Sequence, residues 1–207
     1  MQRSLVWIDR LSAWTGKASA WLVLLMALLI SYDVIVRYVS KPVCEQGSAL
    51  GALCETVRAI WFTYYYSYDM TYYLYAMLFM LGGAYALSRG QHLRGDVFYR
   101  LWPVRVQGAI DLTLFIVAFF PGIIALVSVG AQWAAASWAI AERSFTTAAA
   151  PPLYPLKMVI PIAGTLMLIQ GVAESIRAVQ AVRTGVWPAR LSDVEETETA
   201  LAKQEEL

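Results

Sequence analysis

Ionisable side chains are scarce in this sequence, so those inside or beside apolar runs are the ones that could do chemistry. His92-Leu93-Arg94-Gly95-Asp96 places the single histidine, a guanidinium and a carboxylate on alternate positions of a short polar turn. The apolar helix before it runs into Arg89 and stops at Gly90. A cation in the last turn suits the negative end of the helix dipole, and glycine takes the left-handed capping conformation readily. Asp96 can cap an amphipathic segment, Val97–Val106, that Pro103 breaks. Asp33 and Arg37 lie four residues apart on one helical face, where a carboxylate and a guanidinium can pair within the helix and lower the cost of keeping both near lipid. Asp69 has Tyr65 and Tyr73 at its four-residue neighbours and no cation there, so its partner comes from elsewhere or it sits in water. On residue types alone, the turn reads as a basic connector or a contact site, and the Asp33–Arg37 pair as a local pair or a contact with another helix or subunit.

Other chemistries lack their residues. Bis-histidine haem ligation needs two histidines and the chain has one; seven scattered methionines are more simply packing. There is no Cys/His metal cluster, no glycine-rich phosphate loop with its lysine, and no nucleophile–base arrangement. The reading is a non-enzyme with no cofactor and no metal. A net charge of +1, with basic residues spread along the chain, argues against a nucleic-acid partner. Cys44 and Cys54 are either a disulfide, which an oxidising compartment would permit, or two unpaired thiols in a partly helical loop.

These residues are carried by elements that belong in a membrane. Of 207 residues, 59% are apolar and 15% charged, against about 45–50% and about 25% in soluble domains. The sequence predicts an all-α integral membrane protein with four transmembrane helices, over about 18–39, 61–88, 108–138 and 153–182. Met1–Lys17 has Leu5, Trp7, Ile8, Leu11 and Trp14 at helical spacing among Arg3, Arg10 and Lys17, which predicts an N-terminal interfacial helix. Small residues precede the first apolar run instead of following it, the reverse of a cleavable leader, so that run is expected to stay as an anchor. Ser40–Ile60 is polar and reads as a loop; the tyrosine run Tyr64–Tyr68 then suits a helix entering from the headgroup region. The third segment would reach roughly 46 Å against a core of about 30 Å, so it must tilt, kink or protrude, with Pro121-Gly122 as the kink site. Gly164 and Gly171, seven apart on the fourth helix, permit close helix approach. Residues 1–190 form one membrane domain, and 191–207, with six acidic residues against Lys203, an acidic solvated tail.

Eleven of sixteen basic residues fall in the N-terminal segment, the central connector and the C-terminal region. By the positive-inside rule both termini are expected in the cytoplasm.

The order of the polar residues is similar to a known pattern. Tyr85, Leu87 and Arg89 followed by His92-Leu93-Arg94-Gly95-Asp96 resembles the small membrane subunit of tripartite ATP-independent periplasmic (TRAP) transporters, the DctQ-like family, which usually reads His-Val-Arg-Val-Asp here. Tyr32-Asp33-Val34 with Arg37-Tyr38 resembles the end of that family's first helix, and Asp69 stands where the family usually has Glu. Glu142, Ser144, Pro151-Pro152-Leu153-Tyr154-Pro155-Leu156-Lys157 and Pro161 look like its last loop and helix, continued by Gln170-Gly171 and Arg177. Gly95, the loop around Cys44 and Cys54, and the tyrosine run depart from the pattern. The resemblance implies a non-catalytic scaffold subunit in a bacterial inner membrane. Its partners would be a large permease subunit and, indirectly, a periplasmic binding protein that delivers an organic acid. Asp33, Arg37, Asp69, His92, Arg94 and Asp96 are then the expected contacts with partner or phospholipid, Arg94 through the planar fork that fits a carboxylate or phosphate. The alternative is an accessory four-helix subunit of another membrane complex, such as an energy-converting assembly, since fold alone does not decide function.

Overall fold

A chain in hydrocarbon must satisfy its backbone polar groups within itself, and a helix does so residue by residue. The computed structural model describes residues 2–45, 51–89, 101–147 and 150–188, with the backbone alone for 2–4, 36, 37, 39–45 and 51–67. Its elements are α1 (Gln2–Glu45), α2 (Gly51–Ser88), α3 (Val104–Leu114), a π-helical turn (Phe115–Phe119), α4 (Phe120–Ala139) and α5 (Tyr154–Thr184). Four stretches are long and apolar enough to cross a membrane: Leu5–Ile35, Tyr68–Ser88, Val104–Ala139 and Tyr154–Thr184. The protein is thus all-helical, with α3, the π turn and α4 forming one span.

Two boundaries differ from the expectation. The N-terminal stretch is not a separate element: α1 runs unbroken through it. Within Ser40–Ile60, residues 41–45 continue α1 and 51–60 begin α2, so helix extends into this polar stretch from both sides. Polar residues outside a span are free to be helical, because the span's apolar composition limits where lipid ends and not where the hydrogen-bond ladder ends. The turn carrying His92, Arg94 and Asp96 and the acidic tail 191–207 lie outside the described residues.

Within the long third span the irregular turn lies at Phe115–Phe119, where the Phe120 N–H donates to Phe115 O, five residues back. Pro121 follows directly. In a regular helix its ring would oppose the carbonyl of Val117, and the wider turn makes room for it.

α5 is the hub, touching α1, α2, α3, the π turn and α4, while α1 pairs chiefly with α2. The burial pattern is inverted relative to a soluble protein. Trp7, Trp14, Trp21, Phe79, Val117, Val129 and Trp138 are exposed, whereas Asp9, Ser12, Asp69, Gln170, Glu174 and Arg177 are buried. Lipid solvates large apolar side chains as well as a protein interior does, so helices associate through small residues and buried polar contacts instead. A Cβ on Gly16 would stand 2.4 Å from Tyr85 Cγ, and one on Gly171 2.2 Å from Phe119 Cε1, so α1–α2 and α5–π turn contacts both depend on glycine. At the end of α5, Gly185 takes a left-handed φ of 75° and its N–H caps Ala181 O at 2.9 Å.

Candidate functional site

The polar interior gathers at two places, one near the chain termini and one at the opposite end of the bundle. Near the termini, Gln170, Glu174 and Arg177 stand at i, i+4 and i+7 on α5 and so share a face, as do Asp9 and Ser12 on α1. Arg177 Nη2 donates to Asp9 Oδ2 at 2.5 Å and Nη1 to Glu174 Oε1 at 2.5 Å. Gln170 Nε2 donates to Asp9 Oδ1 at 2.9 Å, and Ser12 Oγ donates to Gln170 Oε1 at 2.8 Å. Arg177 and Gln170 are wholly buried and Asp9 is 1% exposed. Every acceptor oxygen of Asp9 is therefore occupied, while the Nε of Arg177 has no acceptor. One guanidinium serves two carboxylates, a geometry the planar fork permits and a lysine could not copy. The cluster ties the first turns of α1 to the last turns of α5, which puts both ends of the bundle's chain on one side.

At the other end, the described residues of the loop between α4 and α5, 140–147 and 150–153, fold back on themselves. Ser144 N–H donates to Pro151 O at 2.8 Å and Leu153 N–H to Glu142 O at 2.9 Å, with Ala141 and Ala150 at positive φ (47° and 43°) to make the corners. Asp69, 2% exposed, accepts from Ser144 Oγ at 3.1 Å and from Thr147 Oγ1. Its partners are thus two hydroxyls of its own chain's loop, the question that residue spacing left open. Tyr73 on the next turn of α2 reaches Pro151 O at 3.5 Å. Lys157 Nζ pairs with Glu142 Oε2 and lies 4.1 Å from the centroid of Trp133. That hydrogen bond from Lys157 is the main reason the Glu142 carboxyl sits below its ordinary titration range.

Asp33 is half-buried in a groove between α1 and α2 that Met26, Ile30, Tyr68, Thr71, Tyr72 and Tyr75 also line. The side chains of Arg37, Cys44 and Cys54 are outside the described ones, though Cys44 lies in the last turn of α1 and Cys54 in the first of α2. The structure therefore does not bring Asp33 and Asp69 into one site: each serves a different neighbourhood. Sequence reasoning missed the Asp9–Gln170–Glu174–Arg177 cluster. Its signal was available, because polar residues at helical spacing inside an apolar helix must face protein and not lipid. Asp9 was hidden by the apolar periodicity of Leu5, Trp7, Ile8, Leu11 and Trp14, of which Trp7 and Trp14 point outward.

Among the described residues no group of three or more His, Cys, Asp or Glu could hold a metal ion. The described arrangement offers polar contacts between helices and between helix and loop. The family model of the tripartite ATP-independent periplasmic transporters, DctQ component, matches residues 26–181. No curated protein and no solved structure matches the chain. The matched stretch opens inside α1 and closes in α5, so it includes Asp69, the 140–153 loop and Arg177 but leaves Asp9 outside. It spans most of the 207 residues, and the chain belongs to the DctQ family of small membrane subunits of tripartite ATP-independent periplasmic transporters.

Proposed function

We propose that this subunit is a non-catalytic scaffold, multi-pass in a bacterial inner membrane with both termini cytoplasmic, that holds a large permease subunit while a periplasmic binding protein delivers an organic acid. The observation that carries this is where the polar side chains are used. The buried charges of Asp9, Glu174 and Arg177 tie two helices of this chain together and that of Asp69 ties a helix to a loop, while its span surfaces carry large apolar side chains. A transport site at the membrane midplane needs convergent polar groups at broken helices. Here the one irregular turn within a described span, Phe115–Phe119, is entirely apolar. Transport chemistry belongs on that reading to the partner. Arg37 and the His92–Asp96 turn are the proposed contacts with it, and Asp69 acts at one remove by bracing the 140–153 loop.

The test is reconstitution. Vesicles holding the large subunit should take up substrate with the binding protein only when this chain is present, and the two membrane subunits should purify together. Uptake that is unchanged without it, or native purification with an unrelated membrane complex, would overturn the reading in favour of an accessory role elsewhere.

A further inference from the structure

The outer face of α1 carries charge that the bundle does not use. Trp7, Arg10, Trp14, Lys17 and Trp21 follow one another at alternating steps of three and four residues, so at 3.6 residues per turn they fall within roughly a quarter of the helix circumference. Asp9, Ser12 and Gly16 take the opposite side, against α5 and α2. The three indoles are 71%, 70% and 69% exposed, and both cations are exposed with them. Among the described residues neither Arg10 nor Lys17 forms a hydrogen bond or ion pair. Asp9 is the one acid from Met1 to Tyr32, and both its oxygens are taken by Gln170 and Arg177. The depth of this face follows from length. Leu5–Ile35 has 31 residues, about 46 Å of helix against a hydrocarbon core of about 30 Å. Its uncharged part is Ala18–Tyr32. With that run centred in the core and the helix along the membrane normal, the boundary falls beside Trp14, with Lys17 about 3 Å inside it and Arg10 about 7 Å outside. Helical side chains lean toward the N-terminus, which here is outward, so Lys17 snorkels back toward Trp14 and Arg10. Both cations then converge on one level, with an indole between them.

We propose that this face binds an anionic phospholipid, of the phosphatidylglycerol type, with its phosphate between Arg10 and Lys17 beside Trp14 and an acyl chain passing Trp21. Three features select that occupant. Two cations that no acid of α1 offsets attract an anion, and they repel the ammonium that a zwitterionic lipid would bring with its phosphate. The guanidinium fork and the indole N–H are both suited to phosphate oxygens. A lipid phosphate already stands at the level where the two cations meet, whereas a soluble acidic peptide would have to give up water to reach Lys17. The change from charge to bare apolar surface below Lys17 matches the change from headgroup to acyl chain. The same turns of α1 are thus held from both sides: Asp9 binds the Arg177 guanidinium within the bundle, and the face away from it holds a lipid phosphate. Such a lipid fixes how deep this long helix sits, which its apolar length alone leaves free to slide.

The experiment is native mass spectrometry of the full-length chain, alone and in its complex with the large subunit, released from nanodiscs holding phosphatidylglycerol and phosphatidylethanolamine in equal amounts. Wild type should retain phosphatidylglycerol in preference. Arg10→Gln and Lys17→Gln, both at exposed positions that the fold tolerates, should each lower that preference about fivefold. Arg143→Gln removes an exposed cation at the opposite end of the bundle and should leave the preference within about twofold. Equal retention of the two lipids by wild type would overturn the proposal, and so would an equal fall in all three variants. A preference that the isolated chain shows and the complex lacks would overturn it too, giving the face to a helix of the large subunit. A preference that appears only when the chain is cut after Arg190 would give the face to the acidic tail instead.

Discussion

The two polar clips hold the same bundle by different chemistry. Near the termini, Arg177 meets two carboxylates with 1% of its side chain exposed. At the opposite end, Asp69 is met by hydroxyls, and the ion pair of Glu142 with Lys157 leaves 29% of the Glu142 side chain exposed. The first joins two helices 168 residues apart within their spans, whereas the second fastens a loop. Charge against charge in a low dielectric is a fragile kind of strength. It is costly to assemble, and removing one partner leaves an uncompensated charge with no water to take it up. Removing a carboxylate that is met by hydroxyls leaves neutral groups behind and not an unpaired charge, so its failure is softer. The difference teaches that the termini end is the part of this fold that must be complete to exist, and the loop end the part that can adjust.

Breaking the buried triad should have the largest effect. Arg177→Met strands Asp9 and Glu174, and is expected to cost about 3–5 kcal/mol, read as loss of the folded chain on thermal challenge in mild detergent. Adding Asp9→Asn and Glu174→Gln to it removes the stranded charges and should recover most of that loss. If the triple variant is no better than the single one, the cluster's role is packing and not charge.

Next comes a steric test that touches neither clip. Gly16→Ala places a methyl 2.4–2.8 Å from Tyr85 Cβ, Cγ and Cδ2, atoms close to the backbone that cannot swing away. Forced separation of α1 and α2 should cost about 1–3 kcal/mol, whereas Gly122→Ala, where nothing lies within 4 Å, should be close to neutral. Equal thermal stability of the two variants would mean that α1 and α2 do not pack at this distance.

Asp69→Ala, which removes the acceptor of Ser144 and Thr147, should cost about 1–2 kcal/mol locally and raise hydrogen exchange in residues 144–147 without unfolding the spans. Weakened co-purification with the large subunit in Asp69→Asn would add that the braced loop shapes the partner surface. Global unfolding by Asp69→Ala would erase the proposed contrast between the two ends.

The smallest effect concerns Glu142. Its carboxyl is held below the ordinary range, first by the hydrogen bond from Lys157. Its contribution is therefore present above the unfolded-state value and is lost as pH falls through the lowered one. The 140–153 loop should be protected from exchange at neutral pH and loosen in acid, and Glu142→Gln should weaken that acid dependence while leaving α1–α5 contacts intact. A loop whose exchange is as pH-dependent in Glu142→Gln as in wild type would discount the ion pair.

The sequence by itself determined that four apolar helices cross a membrane, because length and side-chain hydropathy alone decide which segments partition into lipid. It also determined the family, since Asp33, the loop from Glu142 to Lys157, and Arg177 keep a recognisable order. Periodicity showed which residues share a face, as with Gln170, Glu174 and Arg177. It could not show what that face meets. In a membrane the hydrophobic effect does not tell one helix surface from another, so the partner of a polar stripe is chosen by three-dimensional packing. Only the tertiary structure decided that Asp9 turns inward to Arg177 while Trp7 and Trp14 turn out, and that Ser144 and Thr147, 75 and 78 residues along the chain, close on Asp69. It decided too where the strain of Pro121 is absorbed, in the turn before it and not at the proline itself, because the carbonyl its ring displaces lies four residues back.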